Sequence, residues 1–379
     1  MFAYLDNAAT TPVSPAALNA AVEVLSRHYG NPSARYPLGA GAERRVKEDR
    51  AKVAAALGCK SGEVYFTSCG TEGDNWAIQS AAQKNRHVGR HIITTAMEHA
   101  AVLEPIRALE QQGWEVTRLL PDSSGVIRLS DLESALRPDT ALVSIMLVNN
   151  ELGSIQPVAQ AVQLTRRIAP KALFHTDAVQ GFLKVPFTPQ SLGVDLLTVS
   201  GHKIHAPKGI GALYIRSGLK LPPLLLGGGQ ESGMRSGTEP TAQIAAFAAA
   251  CQEGRANMDR DVERMRELKA IVLEQLAEFL PRAERIGLGE APHILALTLP
   301  GYKAEVLVRV LGDMGVCVSA GSACHRGKPS HVYAAMGLDK AHRDGAFRVS
   351  FSAQTGEAEV DALIHGLMEA EKMLFPTMS

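Results

Sequence analysis

The chain has no net charge, few cysteines and no long apolar run, and each shortage excludes something. Its 379 residues carry 39 Lys+Arg against 39 Asp+Glu. That balance argues against a nucleic-acid or anionic-membrane surface as its main business. The five cysteines, Cys59, Cys69, Cys251, Cys317 and Cys324, are odd in number and scattered, with no Cys-x-x-Cys pair. Such a set suits neither a disulfide framework nor a zinc site. His202 and His205 have a spacing that suits a metal on a helix. They span a strand-to-turn junction with no further ligand close in sequence, so no metal is expected. No uninterrupted apolar stretch is long enough for a bilayer. Residues 1–6 carry neither a charged leader nor an apolar core of signal length, so a cytoplasmic protein is expected. Internal repeats and low-complexity tracts are absent as well.

What is present is ordinary for a globular protein, with 46% hydrophobic and 21% charged residues. The length allows two domains. Short apolar runs at 64–67, 91–95, 115–120, 141–148, 172–175, 196–199 and 211–215 read as strands. Helix-length segments such as 73–84 and 158–168 lie between several of them. This alternation predicts an α/β fold with a mainly parallel sheet flanked by helices, whose ligands bind beyond the carboxyl ends of the strands. From Pro240 the pattern changes. Residues 243–280 read as one long helix, or two linked at a kink. Strand–helix–strand signals follow at 294–299, 303–311 and 317–319, then a strand at 347–351 and a closing helix at 357–374. The expected division is a large domain of residues 15–255 and a smaller α+β domain of residues 1–14 and 256–379.

The most informative segment is Asp195-Leu196-Leu197-Thr198-Val199-Ser200-Gly201-His202-Lys203-Ile204-His205. An apolar strand stops at Ser200-Gly201, and a lysine follows on the turn. Lysine forms Schiff bases with aldehydes, and pyridoxal phosphate is the aldehyde that proteins most often hold this way. Most lysines are solvated surface charges, so the neighbours decide. Upstream, Phe174-His175-Thr176-Asp177-Ala178-Val179-Gln180 is another strand ending in a carboxylate. Such enzymes need an acid beside the pyridine nitrogen. A strand-terminal Asp also caps following helices, and Gln180 is either a ring-oxygen ligand or a loop residue.

Other segments leave two readings open. Ser68-Cys69-Gly70-Thr71-Glu72-Gly73 joins a strand to a helix, where backbone N–H groups suit a phosphate or simply a capped start. His99, on the loop after a strand, either stacks on a flat ring or caps the next helix. Asn149-Asn150-Glu151 either orients a ligand or forms a turn. The Gly/Ser-rich loop at 227–238 either links domains or brings Arg235 or Thr238 to a phosphate. Cys324 stands among small residues and is followed by His325, Arg326 and Lys328, positive charge that favours a thiolate. Cys59, Cys251 and Cys317 read as buried apolar thiols. Arg348, in a strand of alternating polarity, either grips a carboxylate or faces solvent.

Together these segments resemble a cysteine desulfurase of the NifS/IscS-like group, within the class-V aminotransferase family of fold-type I pyridoxal phosphate enzymes. The resemblance runs from Tyr4-Leu5-Asp6-Asn7-Ala8-Ala9-Thr10-Thr11 to the Arg348 strand. Its most specific pieces are His175-Thr176-Asp177-Ala178-Val179-Gln180, Ser200-Gly201-His202-Lys203, Arg235-Ser236-Gly237-Thr238 and Gly321-Ser322-Ala323-Cys324. The resemblance implies that Lys203 carries the cofactor and shuttles the substrate Cα proton. It implies that Asp177 pairs with the pyridinium, Gln180 meets the ring oxygen and His99 stacks on the ring. Gly70, Thr71, Ser200, His202 and, from a second subunit, Thr238 would hold the phosphate, which makes the protein a homodimer. Asn150 and Arg348 would bind the carboxylate of L-cysteine. Cys324 would take the sulfur as a persulfide, release alanine and pass the sulfur to a protein acceptor such as an iron–sulfur scaffold.

Three features depart from the pattern. Cys69 stands in the phosphate turn where a small residue is usual. The stretch from Cys324 to Pro329 is short, and so is the tail after the last helix, which bears on scaffold docking. The rivals are a selenocysteine lyase, a class-V aminotransferase and a non-catalytic docking platform. Retention of Lys203, Asp177 and Cys324 together argues against the last.

Overall fold

The structure is a computed structural model that describes residues 2–321 and 330–375. Cys324, singled out in the sequence, lies outside the described residues. The short β1 (Ala3–Tyr4) opens the chain. Seven strands then build the central sheet: β2 (Val64–Thr67), β3 (His91–Thr95), β4 (Glu115–Leu119), β5 (Thr140–Ser144), β6 (Leu173–Asp177), β7 (Leu196–Ser200) and β8 (Gly211–Ile215). After them come β9 (Glu284–Arg285), β10 (Ile294–Thr298), β11 (Val316–Cys317) and β12 (Ala346–Ser350).

The central sheet has the order β2-β8-β7-β6-β5-β3-β4. All its pairs are parallel except those of β8, which runs antiparallel to both β2 and β7. Strands β3, β5, β6, β7 and β8 are buried along their whole length. This is why they read as apolar runs rather than as alternating patterns: helices cover both faces. The expected 141–148 strand ends at Ser144, although Ile145 and Leu147 still donate to the His175 and Asp177 carbonyls. The expected helix at 73–84 starts earlier and spans Gly70–Asn85.

Beyond the sheet, Thr241–Phe279 is a single 39-residue helix rather than two. Its second half packs on a different apolar core, shared with Ala3 and Leu5, strands β10 and β12, and the helix Glu357–Met373. β1 pairs with β11, and β10 is flanked by β12 and β9. Buried Lys269 ties the long helix to the loop before β10 by donating to the Gly289, Ala291 and Ile294 carbonyls. Residues 6–14 then bridge the two cores. Asn7 N donates to Ser350 O, while Thr11 N and Ser14 N donate to the His202 and His205 carbonyls. This segment therefore lies against the lysine turn. Among the described residues, no helix is long and apolar enough to cross a membrane.

Candidate active site

β6 ends at Asp177 and β7 at Ser200, and the helix Gly70–Asn85 begins just after β2. All three junctions open into one cavity of about 240 Å³ at the carboxyl edge of the sheet. Gly70, Thr71, His99, Asn150 and Asp177 line it, as do Gln180, Ser200, His202, Lys203 and Arg348. Ten of the twelve residues singled out in the sequence therefore meet in one place. Thr238 does not join them within one chain. It lines a separate depression with Ser68, Arg235 and Gly237. Arg235 is tied to Glu72 at 2.8 Å.

Lys203 ends the Gly201–Lys203 turn, and its Nζ donates to the Ala8 and Ala9 carbonyls at 2.7 Å each. The N-terminal segment thus forms the wall that receives the amine. The Gln180 amide is oriented by Ala8 O at 2.9 Å and by His293 Nε2 at 3.2 Å. Burial and the neighbouring lysines push His202 down to about 4, so its ring is neutral at pH 7. His99 takes the capping role of its two readings and also stands at the cavity. Its Nδ1 caps the helix Ala100–Gln111 by accepting from Ala101 N at 3.1 Å, while the residue still lines the cavity.

Asp177 Oδ1 accepts from Val179 N at 2.9 Å, the turn-capping role. Burial, and then the nearby Asp74 carboxylate, push Asp177 up to about 7. Sequence reasoning missed Asp74. It is 1% exposed, lines the cavity and lies 3.4 Å from His175 Nε2. Burial raises it to about 7 as well. Its signal was its position, four residues after Gly70 and three after Thr71, which puts it on the cavity face of the helix.

Arg348 is 2% exposed, so it does not face solvent. Its guanidinium donates to Asn150 O at 2.6 Å and Asp6 Oδ1 at 2.8 Å, and its Nε has no partner among the described residues. A buried fork with a spare donor can accept a carboxylate. Burial therefore removes the solvent-facing reading and leaves Arg348 at the cavity, paired with Asp6.

Pyridoxal phosphate fits this donor set. A Cβ on Gly70 would stand 2.9 Å from Val179 Cγ2, so any other residue here must displace the Val179 side chain in the turn after β6. There the first N–H groups of a 16-residue helix face the cavity edge. Beside them, Ser200 Oγ is buried without a partner among the described residues. An acid at one strand end, an amine at the next and an anion-binding helix start are the three functions that the cofactor requires.

A mainly parallel sheet whose carboxyl edge presents a lysine and a buried aspartate to one cavity has the architecture of a fold-type I pyridoxal phosphate enzyme. The aminotransferase class-V family model matches residues 3–363, and the chain belongs to that family. A relative named cysteine desulfurase 2, from Trichormus variabilis, is 44% identical over 368 residues, covering 95% of this chain and 91% of that protein. A solved structure described as a NifS-like protein superposes with a TM-score of 0.94 at 36% identity, over 99% of this chain and 100% of its own. A second, described as SspA in complex with cysteine, has a TM-score of 0.82 at 33% identity, over 93% and 100%.

Proposed function

We propose that the chain is a pyridoxal phosphate-dependent cysteine desulfurase that converts L-cysteine to L-alanine and takes the sulfur on Cys324. The observation that carries this reading is the convergence of Lys203, Asp177 and Arg348 on one cavity, in a family whose similar members bear that name. Lys203 would hold the cofactor, Asp177 its ring nitrogen, Gln180 its ring oxygen, and His99 would stack on its face. Gly70, Thr71, Ser200 and His202 would hold the phosphate, completed by Thr238 of the partner subunit in a two-fold homodimer. When bound, the cofactor supplies an electron sink that makes the substrate Cα acidic and the Cβ–S bond labile.

The chain's own residues do the rest. Arg348 and Asn150 fix the substrate carboxylate, and with it the direction of the Cα–H bond. Lys203 Nζ takes that proton and returns it. The Cys324 thiolate attacks the substrate sulfur, so that an S–S bond forms as the C–S bond breaks; the C–S electron pair stays with Cβ, which takes up a proton, and the carbon skeleton leaves as alanine. The persulfide then passes to a protein acceptor, for which an iron–sulfur scaffold is one candidate. We place the work in the cytoplasm and divide the chain at 15–255 against 1–14 and 256–379, a division supported by the separate core that the second half of the long helix shares with Ala3, Leu5 and strands β10 and β12. A preference for selenocysteine has no observation in its favour, since the relatives are named for cysteine.

The test is turnover of L-cysteine in the presence of a reductant. Wild type should release alanine and sulfide in equal amounts. Cys324→Ala should bind pyridoxal phosphate yet release almost no sulfide, and Lys203→Ala should do neither. Alanine production by Lys203→Ala would overturn the assignment.

A further inference from the structure

His293 is wholly buried, stands just before β10 and has no part in the mechanism above. Its main chain is pinned. Lys269 donates to the Ala291 and Ile294 carbonyls that bracket it, and Phe351 N donates to its own carbonyl at 2.9 Å. From this fixed place the ring reaches Gln180, with Nε2 3.2 Å from Oε1. The position of the proton at this contact follows from the partners. The Ala8 carbonyl only accepts, so the Gln180 group that faces it at 2.9 Å is the amide nitrogen, and Oε1 is the atom that faces His293. An oxygen there requires an N–H, so the ring carries its proton on Nε2. Nδ1, which has no partner among the described residues, is then a bare lone pair rather than a stranded N–H. Burial, and then Lys184, Lys269, Arg348 and Lys203, hold His293 well below its ordinary value, so the ring is neutral and carries that one proton alone. Gln180 has two amide N–H groups, and Ala8 takes one. The other has no partner among the described residues, on a residue that is 4% exposed and lines the cavity.

We propose that His293 is a positioning residue: its Nε2–H holds Gln180 Oε1 away from the cavity, so that the spare amide N–H is what Gln180 offers a ring oxygen. Ala8 and His293 hold the two ends of the amide, and neither hold alone fixes its plane. With Oε1 turned inward, one acceptor would stand against another. A donated hydrogen bond spreads the negative charge of a ring oxygenate. That oxygenate is what retains the proton on a neighbouring imine nitrogen, so a donor on it lets the imine proton leave at lower pH. The inference rests on the reading of Lys203 as the cofactor lysine and of Gln180 as the ring-oxygen partner.

The test is a pH titration of the visible absorbance band of the full-length chain, loaded with pyridoxal phosphate and without substrate. In Gln180→Leu the midpoint should rise by roughly one pH unit, and in His293→Leu by at least about half a unit, as expected for losing or misaiming one hydrogen bond to a charged oxygen. His293→Gln, whose amide nitrogen reaches as far as Nε2, should keep the wild-type midpoint. A purely structural role would lower stability or cofactor affinity with the His293→Leu midpoint unmoved, and that result overturns the proposal. A His293→Gln midpoint displaced as far as that of His293→Leu overturns it too. Should His293→Leu not fold, nitrogen NMR of histidine-labelled wild type decides. The His293 ring, assigned by its loss from His293→Gln, should be neutral and protonated on Nε2, and a proton on Nδ1 overturns the proposal. The two underlying readings fail separately, and either takes the proposal with it. No visible band in wild type sinks the cofactor reading, and an unmoved midpoint in Gln180→Leu sinks the ring-oxygen reading.

Discussion

Replacing Asp74 with asparagine should make the cofactor-free chain more stable at pH 8, although the side chain is buried and polar. The Asp74 carboxylate has an oxygen without a hydrogen-bond partner among the described residues, and burial pushes it up to about 7. A folded pKa above the unfolded one means that the fold prefers the protonated acid. Below about pH 4 both states hold the proton and there is no penalty. As pH rises toward 7 the unfolded chain releases its proton while the folded chain keeps it, so stability falls, then levels off. The interval from 3.8 to about 7 is roughly three pH units. At about 1.4 kcal/mol per unit the ceiling is ~4 kcal/mol. That shift already includes the Thr198 hydroxyl, which bonds the carboxylate; the buried amide keeps a desolvation cost of its own, so a gain of about 1–3 kcal/mol is expected. Relief of Asp177, which Asp74 also pushes up, acts in the same direction. Urea midpoints at pH 5 and pH 8 would measure it. The wild-type midpoint should drop between the two, and the drop should shrink in Asp74→Asn. An unchanged pH dependence together with lower stability at pH 8 would refute the reasoning.

Lys269→Met leaves three buried carbonyls without their donor and should cost about 3 kcal/mol, read as a lower urea midpoint. An unchanged midpoint would show that the tether contributes nothing. Gly70→Ala forces the Val179 side chain and the helix start apart and should weaken pyridoxal phosphate binding about tenfold or more in an absorbance titration. Equal affinity would place the phosphate elsewhere. Arg348→Lys keeps the charge but loses the fork, so KM for L-cysteine should rise at least about tenfold while cofactor affinity holds. An unchanged KM would remove Arg348 from substrate binding.

The strands were legible because β3 and β5–β8 are buried throughout, so burial writes itself into the sequence as apolar runs. Apolarity reports burial rather than pairing, which is why the 141–148 run outlasts the β5 ladder at Ser144. The reversed direction of β8 also had a signal. The stretch from Ser200 to Gly211 is shorter than the dozen or more residues that a parallel crossover needs. Strand ends carrying Lys203 and Asp177 stood out because a charged residue closing an apolar run is conspicuous. Asp74 did not. It sits in a polar helix, where charge is ordinary, and its spacing from Gly70 and Thr71 becomes a signal only once that helix start is placed at the cavity. The part played by Ala8 and Ala9 was invisible for another reason, since it is their main-chain carbonyls that receive Lys203.

The most direct measurement is the intact mass of the full-length chain, loaded with pyridoxal phosphate, before and after incubation with L-cysteine without reductant. The account predicts a gain of one sulfur, located on the peptide that contains Cys324, matched by released alanine and absent from Cys324→Ala. No gain, or the same gain in Cys324→Ala, would contradict it.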